Sequence, residues 1–363
     1  MALSKIPSAG FQDNVKFRNI LINGDQSIAQ RSTSTSGANT QAYHCTDRWF
    51  NVGMTIGTWT ISQSTDVPTG QGFSNSLKYD CTTAEASPSA GDQLHLSQRI
   101  EGKNLQYLKK GTSSAESLTL SFWVKTNKTG TYQVNLRDKD NTRIIGKTYA
   151  VSSADTWEKK ILTFDGDTTG AFDNDSGNSL ECEWFLGAGS NYTSGAVPTS
   201  WEAESATDRA AGLTVNLGDS TSNEWYITGV QLEAGTSASD FEFLPFEANL
   251  RRCLRYHFDT TSAVNGESGS GLGGLMVFKA FNANEAAGYN AFPVPMRGNP
   301  TITITDNSGT NGKIHRFAVG DVGSNITFGN VSNSAICAIN ETSTFTTTEP
   351  NAYGGRIRAD AEL

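Results

Sequence analysis

The chain has 363 residues, a net charge of −9 and 36 glycines, with only 18% of its residues charged. That length is ample for more than one core, and the acidic balance excludes a basic nucleic-acid binder and disfavours contact with an anionic membrane. The charge is uneven: residues 1–250 hold nineteen Lys/Arg against twenty-eight Asp/Glu, and residues 251–363 hold nine of each. All seven tryptophans lie between Trp49 and Trp225. Both shifts predict a boundary near residue 250.

Residues 1–18 read as an extended arm. Ile6, Phe11 and Val15 are too sparse to build a core, so the arm is expected to order on another chain. Its opening, MALSKIPSAGFQDNVK, lacks the apolar centre of a signal peptide, and no apolar run is long enough to span a membrane. Ile20-Leu21-Ile22 is predicted as a strand, followed by a turn at Asn23-Gly24-Asp25. Residues 117–124 alternate: Leu118, Leu120, Phe122 and Val124 share one face, and Thr119, Ser121 and Trp123 the other. The next run repeats this, with Tyr132, Val134 and Leu136 opposite Gln133, Asn135 and Arg137. The two runs are predicted to pair as an antiparallel hairpin.

Further strands are predicted at 157–164, 180–187, 212–218 and 224–233, separated by loops at 165–179 and 187–211. Residues 247–256 carry the clearest helical period, with Leu250, Cys253 and Leu254 as an apolar stripe and Arg251, Arg252 and Arg255 on the wetter side. This reads as a connector; an arginine patch for an anionic partner is the other reading. From 272 onward the runs LGGLMVFKAF, TITITD, HRFAVG, NITFG, AICAI and RIRADAEL return to strands. The predicted fold is all-β: a jelly-roll β-sandwich over 19–246, a short helix over 247–258, and a second, smaller β-sandwich over 259–363.

Little in the chain points to catalysis. His44, His95, His257 and His315 are far apart in sequence, and no nucleophile or phosphate-binding motif surrounds them. Cys45, Cys81, Cys182, Cys253 and Cys337 are odd in number and widely spaced, which reads as buried free thiols of a protein folded in a reducing cytosol. Asp138, Asp140, Asp165, Asp167, Asp173 and Asp175 read as solvated turn carboxylates, with a structural calcium as the other use of such loops. Asp173 to Gly177 starts like an EF-hand, but its glycine comes one position early and its twelfth position is Trp184. No cofactor is expected.

The aromatic residues carry the binding hypothesis. On the predicted hairpin, Trp123 points away from the core beside Gln133, Asn135 and Arg137. An indole flanked by amides and a guanidinium suits the apolar face and polar edge of a sugar. A loop or a neighbouring subunit would cover the same indole equally well. Tyr192 and Trp201, in the loop 187–211, are further aromatic candidates.

Taken in order, NILINGDQSIAQR, DRWF, LTLSFWVKTNKTGTYQV, DTWEKKILTF and EWYITGVQLEAG, with LRRCLRYHF, FPVPMRGNPTITI and the closing ADAEL, form a pattern. It resembles a family of phage and marine-virus structural proteins bearing a carbohydrate-binding-module-like jelly roll. The resemblance implies a virion protein without catalytic residues. Related sugar-binding modules place a calcium-ligating aspartate in the last strand; here the matching stretch is Tyr226-Ile227-Thr228-Gly229-Val230, without that acid.

The expected function is therefore a non-enzymatic virion protein, a fiber or surface appendage that displays a host-glycan adhesion module. It is expected to be trimeric and anchored to other virion proteins through residues 1–18. A head decoration protein without receptor contact and the carbohydrate-binding module of a cellular protein are the alternatives.

Overall fold

The computed structural model describes residues 17–260, 276–306, 310–317, 319–342, 344–348 and 351–363. Of the predicted arm, only Phe17 and Arg18 fall within the described residues.

Twelve strands build the first unit: β1 (Ser34–Ala38), β2 (Phe50–Val52), β3 (Thr58–Ser64), β4 (Ser76–Thr83), β5 (Gln93–Glu101), β6 (Leu118–Thr126), β7 (Gly130–Asp138), β8 (Arg143–Val151), β9 (Glu158–Phe164), β10 (Asn178–Ala188), β11 (Glu202–Ala203) and β12 (Glu224–Ala234). They form two six-stranded antiparallel sheets, ordered β1-β3-β4-β12-β6-β9 and β11-β8-β7-β10-β5-β2. The alternation of β6 sends Leu118, Leu120, Phe122 and Val124 into a shared core, as expected. Edge-to-face rings run through that core: Trp59 on Tyr79 at 6.0 Å, Tyr79 on Trp225 at 5.6 Å, and Phe122 on Trp184 at 5.9 Å. Each such pair adds roughly 0.5–1.5 kcal/mol beyond the area it buries.

The predicted β6–β7 hairpin does not form. β6 pairs with β12 and β9, whereas β7 pairs with β8 and β10 in the opposite sheet. An alternating strand has one apolar face, and two such strands bury those faces equally well side by side or across a core. Alternation therefore leaves the choice open, and the corner between the strands decides it. Asn127 Nδ2 donates to Ser222 O at 3.0 Å, and its Oδ1 accepts from Glu224 N at 2.9 Å, fixing the corner to the start of β12. Lys128 adds an ion pair to Asp219. The chain then crosses to the second sheet.

Two other predicted strands are absent. Residues 20–22 run beside β12 with only isolated backbone bonds, Ile20 N to Leu232 O at 2.8 Å and Val230 N to Gly24 O at 2.9 Å, and the Asn19 amide fills the gap between them. It donates to Val230 O at 2.9 Å and accepts from Leu21 N and Leu232 N, both at 3.1 Å. Residues 212–218 are a loop ending in the 3-10 turn Leu217–Asp219, capped by Asn216. Val215 and Leu217 are nevertheless buried in the sandwich core, so their apolar pattern reflects a plug and not a strand.

The predicted helix is present over Phe246–Leu254. Cys253 packs with Ile22, Ile28 and Tyr256, while Leu254 joins the core of the second unit. That unit comprises β13 (His257–Asp259), β14 (Met276–Ala280), β15 (Glu285–Ala291), β16 (Thr301–Thr305), β17 (Ile314–Arg316), β18 (Gly320–Val322), β19 (Thr327–Val331), β20 (Ala335–Asn340) and β21 (Ala352–Asp360). β21 serves two ladders. Its first half pairs with β14 and β17, and its second half with β13 and β16. Phe278, Ile336, Ile339, Tyr353 and Ile357 fill the core it encloses.

Polar contacts join the units. Glu101, at the end of β5, accepts from Arg255 Nε at 2.7 Å and Nη2 at 2.6 Å, and from Tyr256 Oη at 2.5 Å. Beyond β21, Glu362 pairs with Arg48, and with Arg31 at 3.2 Å.

Candidate functional site

The outer face of the first sheet is a mixed aromatic and charged surface. β6 contributes Trp123 and Lys125, β12 contributes Tyr226 and Thr228, and β9 contributes Lys159 and Ile161. Trp123 is half-buried between its register partners Thr228 and Lys159. Ile161 is 54% exposed on the same face.

Next to Trp123, Lys125 Nζ sits 4.5 Å from the Tyr226 ring centroid and 5.9 Å from that of Trp157, both within cation–π range. Trp157, just before β9, meets Tyr226 edge-on at 6.1 Å. Its indole Nε1 donates to Asp66 Oδ1 at 3.0 Å, and Asp66 is also ion-paired with Lys125. Lys78 Nζ pairs with Glu224 at 2.6 Å, and Glu224 accepts from Tyr226 Oη at 2.6 Å. Burial raises the Asp66 pKa, but hydrogen bonds from Lys125 and Trp157 outweigh it and hold the group below the usual carboxylate range. Glu224 behaves likewise: burial is outweighed by Lys78 and Tyr226. Burial and the Glu224 carboxylate together push the Tyr226 phenol up. At neutral pH the surface presents ionised carboxylates around two half-buried indoles, Trp123 and Trp157, with the Tyr226 phenol buried beneath them at 6% exposure. Such a surface can stack on an apolar ring face and hydrogen-bond its edge.

The six residues singled out from the sequence are not gathered here. Only Trp123 lies on this face. Gln133, Asn135 and Arg137 belong to β7 and point outward from the second sheet, so the expected juxtaposition with Trp123 is corrected. Nor are they open to solvent, because the loop 187–211 folds over them. Gln133 Nε2 donates to Asp208 O at 2.9 Å and Asn135 Nδ2 to Arg209 O at 2.7 Å. Arg137 pairs with Glu183 at 2.6 Å and Glu181 at 3.2 Å, and also with Glu204. Arg209 reaches Glu183 from the loop at 2.7 Å. Burial raises the Glu183 pKa, yet Arg209 and Arg137 overcome it and keep the group ionised. His95, its neighbour at 3.6 Å, is lowered to about 3 by burial and stacks on Phe185 at 4.4 Å.

Tyr192 is half-buried on the single helical turn Ser190–Thr193, 6.4 Å from Phe185 and 5.7 Å from Arg209 Cζ. Half-buried Trp201 packs against the sandwich core, and its Nε1 donates to Asp165 O at 2.7 Å. Both aromatics help hold down the loop that covers the second sheet and its edge. Two of the aspartates read as solvated are buried instead. Asp138 pairs with Lys110 at 2.5 Å, and Asp167 pairs with Lys110 at 3.1 Å and with Arg143 at 2.7 Å. Among the described residues, no group of three or more His, Cys, Asp or Glu is placed to hold a metal ion.

Trp157, Tyr226, Lys125 and Asp66 are the residues that the sequence reading missed. Tyr226 alternates outward within EWYITGV, a signal present in the sequence. Its value depends on knowing that β12 and β9 flank β6.

No protein-family model matches the chain, and no curated protein sequence matches it. Solved structures similar to it include the enzymatically active domain of bacteriophage CBA120 tailspike protein 4, at 17% identity and TM-score 0.31, over 60% of this chain and 21% of that one. A structure described as CBM4 aligns at 13% identity and TM-score 0.30, over 58% of this chain and 97% of that one. The CBM22-1 and GH10 modules of xylanase 10B from Clostridium thermocellum align at 13% identity and TM-score 0.29, over 61% of this chain and 29% of that one. The chain thus spans about a fifth of the tailspike it matches.

Proposed function

We propose that this chain is a non-enzymatic adhesion protein of a bacteriophage particle, and that its sandwich holds saccharide on the Trp123–Trp157–Tyr226 face. The observation that carries the saccharide reading is the half-buried Trp123 beside two aromatic rings and two ion pairs, Lys125–Asp66 and Lys78–Glu224. A large apolar surface left in contact with water is favourably covered by an apolar sugar face, and fixed charges select the hydroxyls around it. Each stacking contact contributes on the order of 1 kcal/mol. Many copies per particle convert weak contacts into firm attachment. A non-catalytic role is supported by the burial of His95 and Glu183, the latter held in ion pairs with Arg137 and Arg209. The virion assignment rests on the ordered sequence pattern, and the trimeric state and the 1–18 anchor belong to the same proposal.

The test compares Trp123→Ala and Trp157→Ala with wild type on a host-glycan array, with folding checked by circular dichroism. Loss of glycan binding by folded variants is the expected result; undiminished binding by both overturns the saccharide reading. Removing residues 1–18 tests the anchor. The cut falls before Asn19, so the bonds that tie it to β12 survive. The truncated protein is expected to fold and to fail to join particles, whereas normal incorporation defeats the anchor.

A further inference from the structure

The arginine-bearing side of the helix Phe246–Leu254 borders a groove of about 490 Å³, on the side of the second sheet and away from Trp123. Arg99, Lys103, Arg252 and Arg255 line it, and among the described residues no carboxylate does. Its apolar wall is formed by Ile20, Ile22 and Ile100, and its rings by Phe17, Tyr107 and Tyr256. Tyr107 is 50% exposed.

The four cations are not equivalent. Arg255 is neutralised by the bidentate Glu101. Arg99 approaches Glu181 at 3.4 Å and lies 4.2 Å over the Phe50 ring. Arg252 has only carbonyl partners, Asn19 O at 3.0 Å and Leu21 O at 3.4 Å, and no ion pair among the described residues. Lys103, exposed at the other wall, likewise has no ion pair among them. Two cations without an ion pair among the described residues therefore face one cavity, with the Glu242 carboxylate acting on Arg252 only from beyond ion-pair distance. A half-buried cation without a counter-charge is costly, and an entering anion relieves that cost.

The wall narrows the class of anion. Inorganic phosphate would satisfy the charges and leave Ile20 and Tyr107 wet. A neutral sugar would cover the wall and leave the charges unpaired. A sugar carboxylate does both, and a planar guanidinium suits carboxylate geometry. We propose that this groove is a second ligand site, separate from the Trp123 face, that takes a carboxylate-bearing sugar. Arg252 and Lys103 pair with the carboxylate, and Tyr107 supports the ring.

Calorimetric titration of the full chain with tri-galacturonate, its neutral methyl ester and inorganic phosphate, at matched ionic strength, tests this. The acid is expected to bind, with the ester and phosphate each about tenfold weaker or worse. Lys103→Gln and Arg252→Gln are each expected to weaken the acid about tenfold, and Tyr107→Ala several-fold, while Trp123→Ala leaves it unchanged. Equal binding of acid and ester overturns the charge argument, and equal binding of phosphate overturns the sugar. Arg252 also braces Asn19 and Leu21, so if its variant does not fold, Lys103→Gln and Tyr107→Ala decide. Wild-type affinity in both overturns the site. Neutral-glycan binding by the Trp123 face is read separately on the array, so either site can fail alone.

Discussion

The indole of Trp157 is tethered to Asp66: Nε1 donates to Oδ1 at 3.0 Å, and the same carboxylate ion-pairs with Lys125. One acid thus sets the tilt of one aromatic ring and the position of the ammonium lying over another. Asp66→Ala is expected to weaken glycan binding several-fold while changing stability by no more than about 1 kcal/mol, the usual worth of an exposed pair. Asp66 and Glu224 both titrate below the usual carboxylate range in the folded protein. Their contribution is present above that range and is lost as pH falls through the lowered folded values. Affinity is therefore expected to hold from pH 8 down through the usual carboxylate range and to drop only below it. Loss of binding already at pH 5 would refute this.

Glu183 holds Arg137 and Arg209 beneath the loop 187–211. Its removal leaves two arginines competing for fewer buried partners, so Glu183→Ala is expected to cost about 3–5 kcal/mol. Urea denaturation measures this. A loss below about 1 kcal/mol would mean that water replaces the carboxylate freely.

His95 and His257 are both buried with pKa values lowered by burial, His95 to about 3 from 6.5. Each is neutral when folded and takes a proton near pH 6.5 when unfolded. Their contribution is complete above that value and declines as pH falls towards the folded one. The urea midpoint is expected to fall from pH 7.5 to 5, where most carboxylates remain ionised, and His95→Leu is expected to flatten that slope. An unchanged slope in the variant contradicts a buried neutral imidazole.

Gly229 has φ +60° at the bulge in β12, and an added Cβ would lie 2.5 Å from Phe73 Cζ. Gly229→Ala is expected to destabilise the protein by about 2 kcal/mol, from left-handed strain and the clash together. The double variant with Phe73→Ala separates these terms. It should lose less than the two single variants summed, because the clash is then removed.

The strand content and the helix were legible because both depend on local period. Leu118, Leu120, Phe122 and Val124 announce a buried face whatever lies next to it, and Leu250, Cys253 and Leu254 do the same for the helix. Pairing was not legible. Nothing local to Gln133 or Asn135 reveals that backbone carbonyls some seventy-five residues away will satisfy their amides. Polar residues on an alternating strand look the same whether solvent or a folded-back loop meets them. The candidate site was therefore legible in Trp123 alone; Tyr226 and Trp157 belong to the chain at the strands flanking β6, and Asp66 to the loop after β3, and alternation identifies neither neighbouring strand.

β21 spans both ladders of the second unit, and the segment after it returns to Arg48 and Arg31 in the sandwich. The chain consequently crosses between the units twice, once through the helix and once through residues 361–362. A single crossing would be a pivot. Two crossings make a stirrup, so a pull or torque on the second unit is shared between covalent chain and buried ion pairs. Force on a tethered sandwich would then load Arg48–Glu362 and Arg31–Glu362 in parallel with the helix and its Glu101–Arg255 contact.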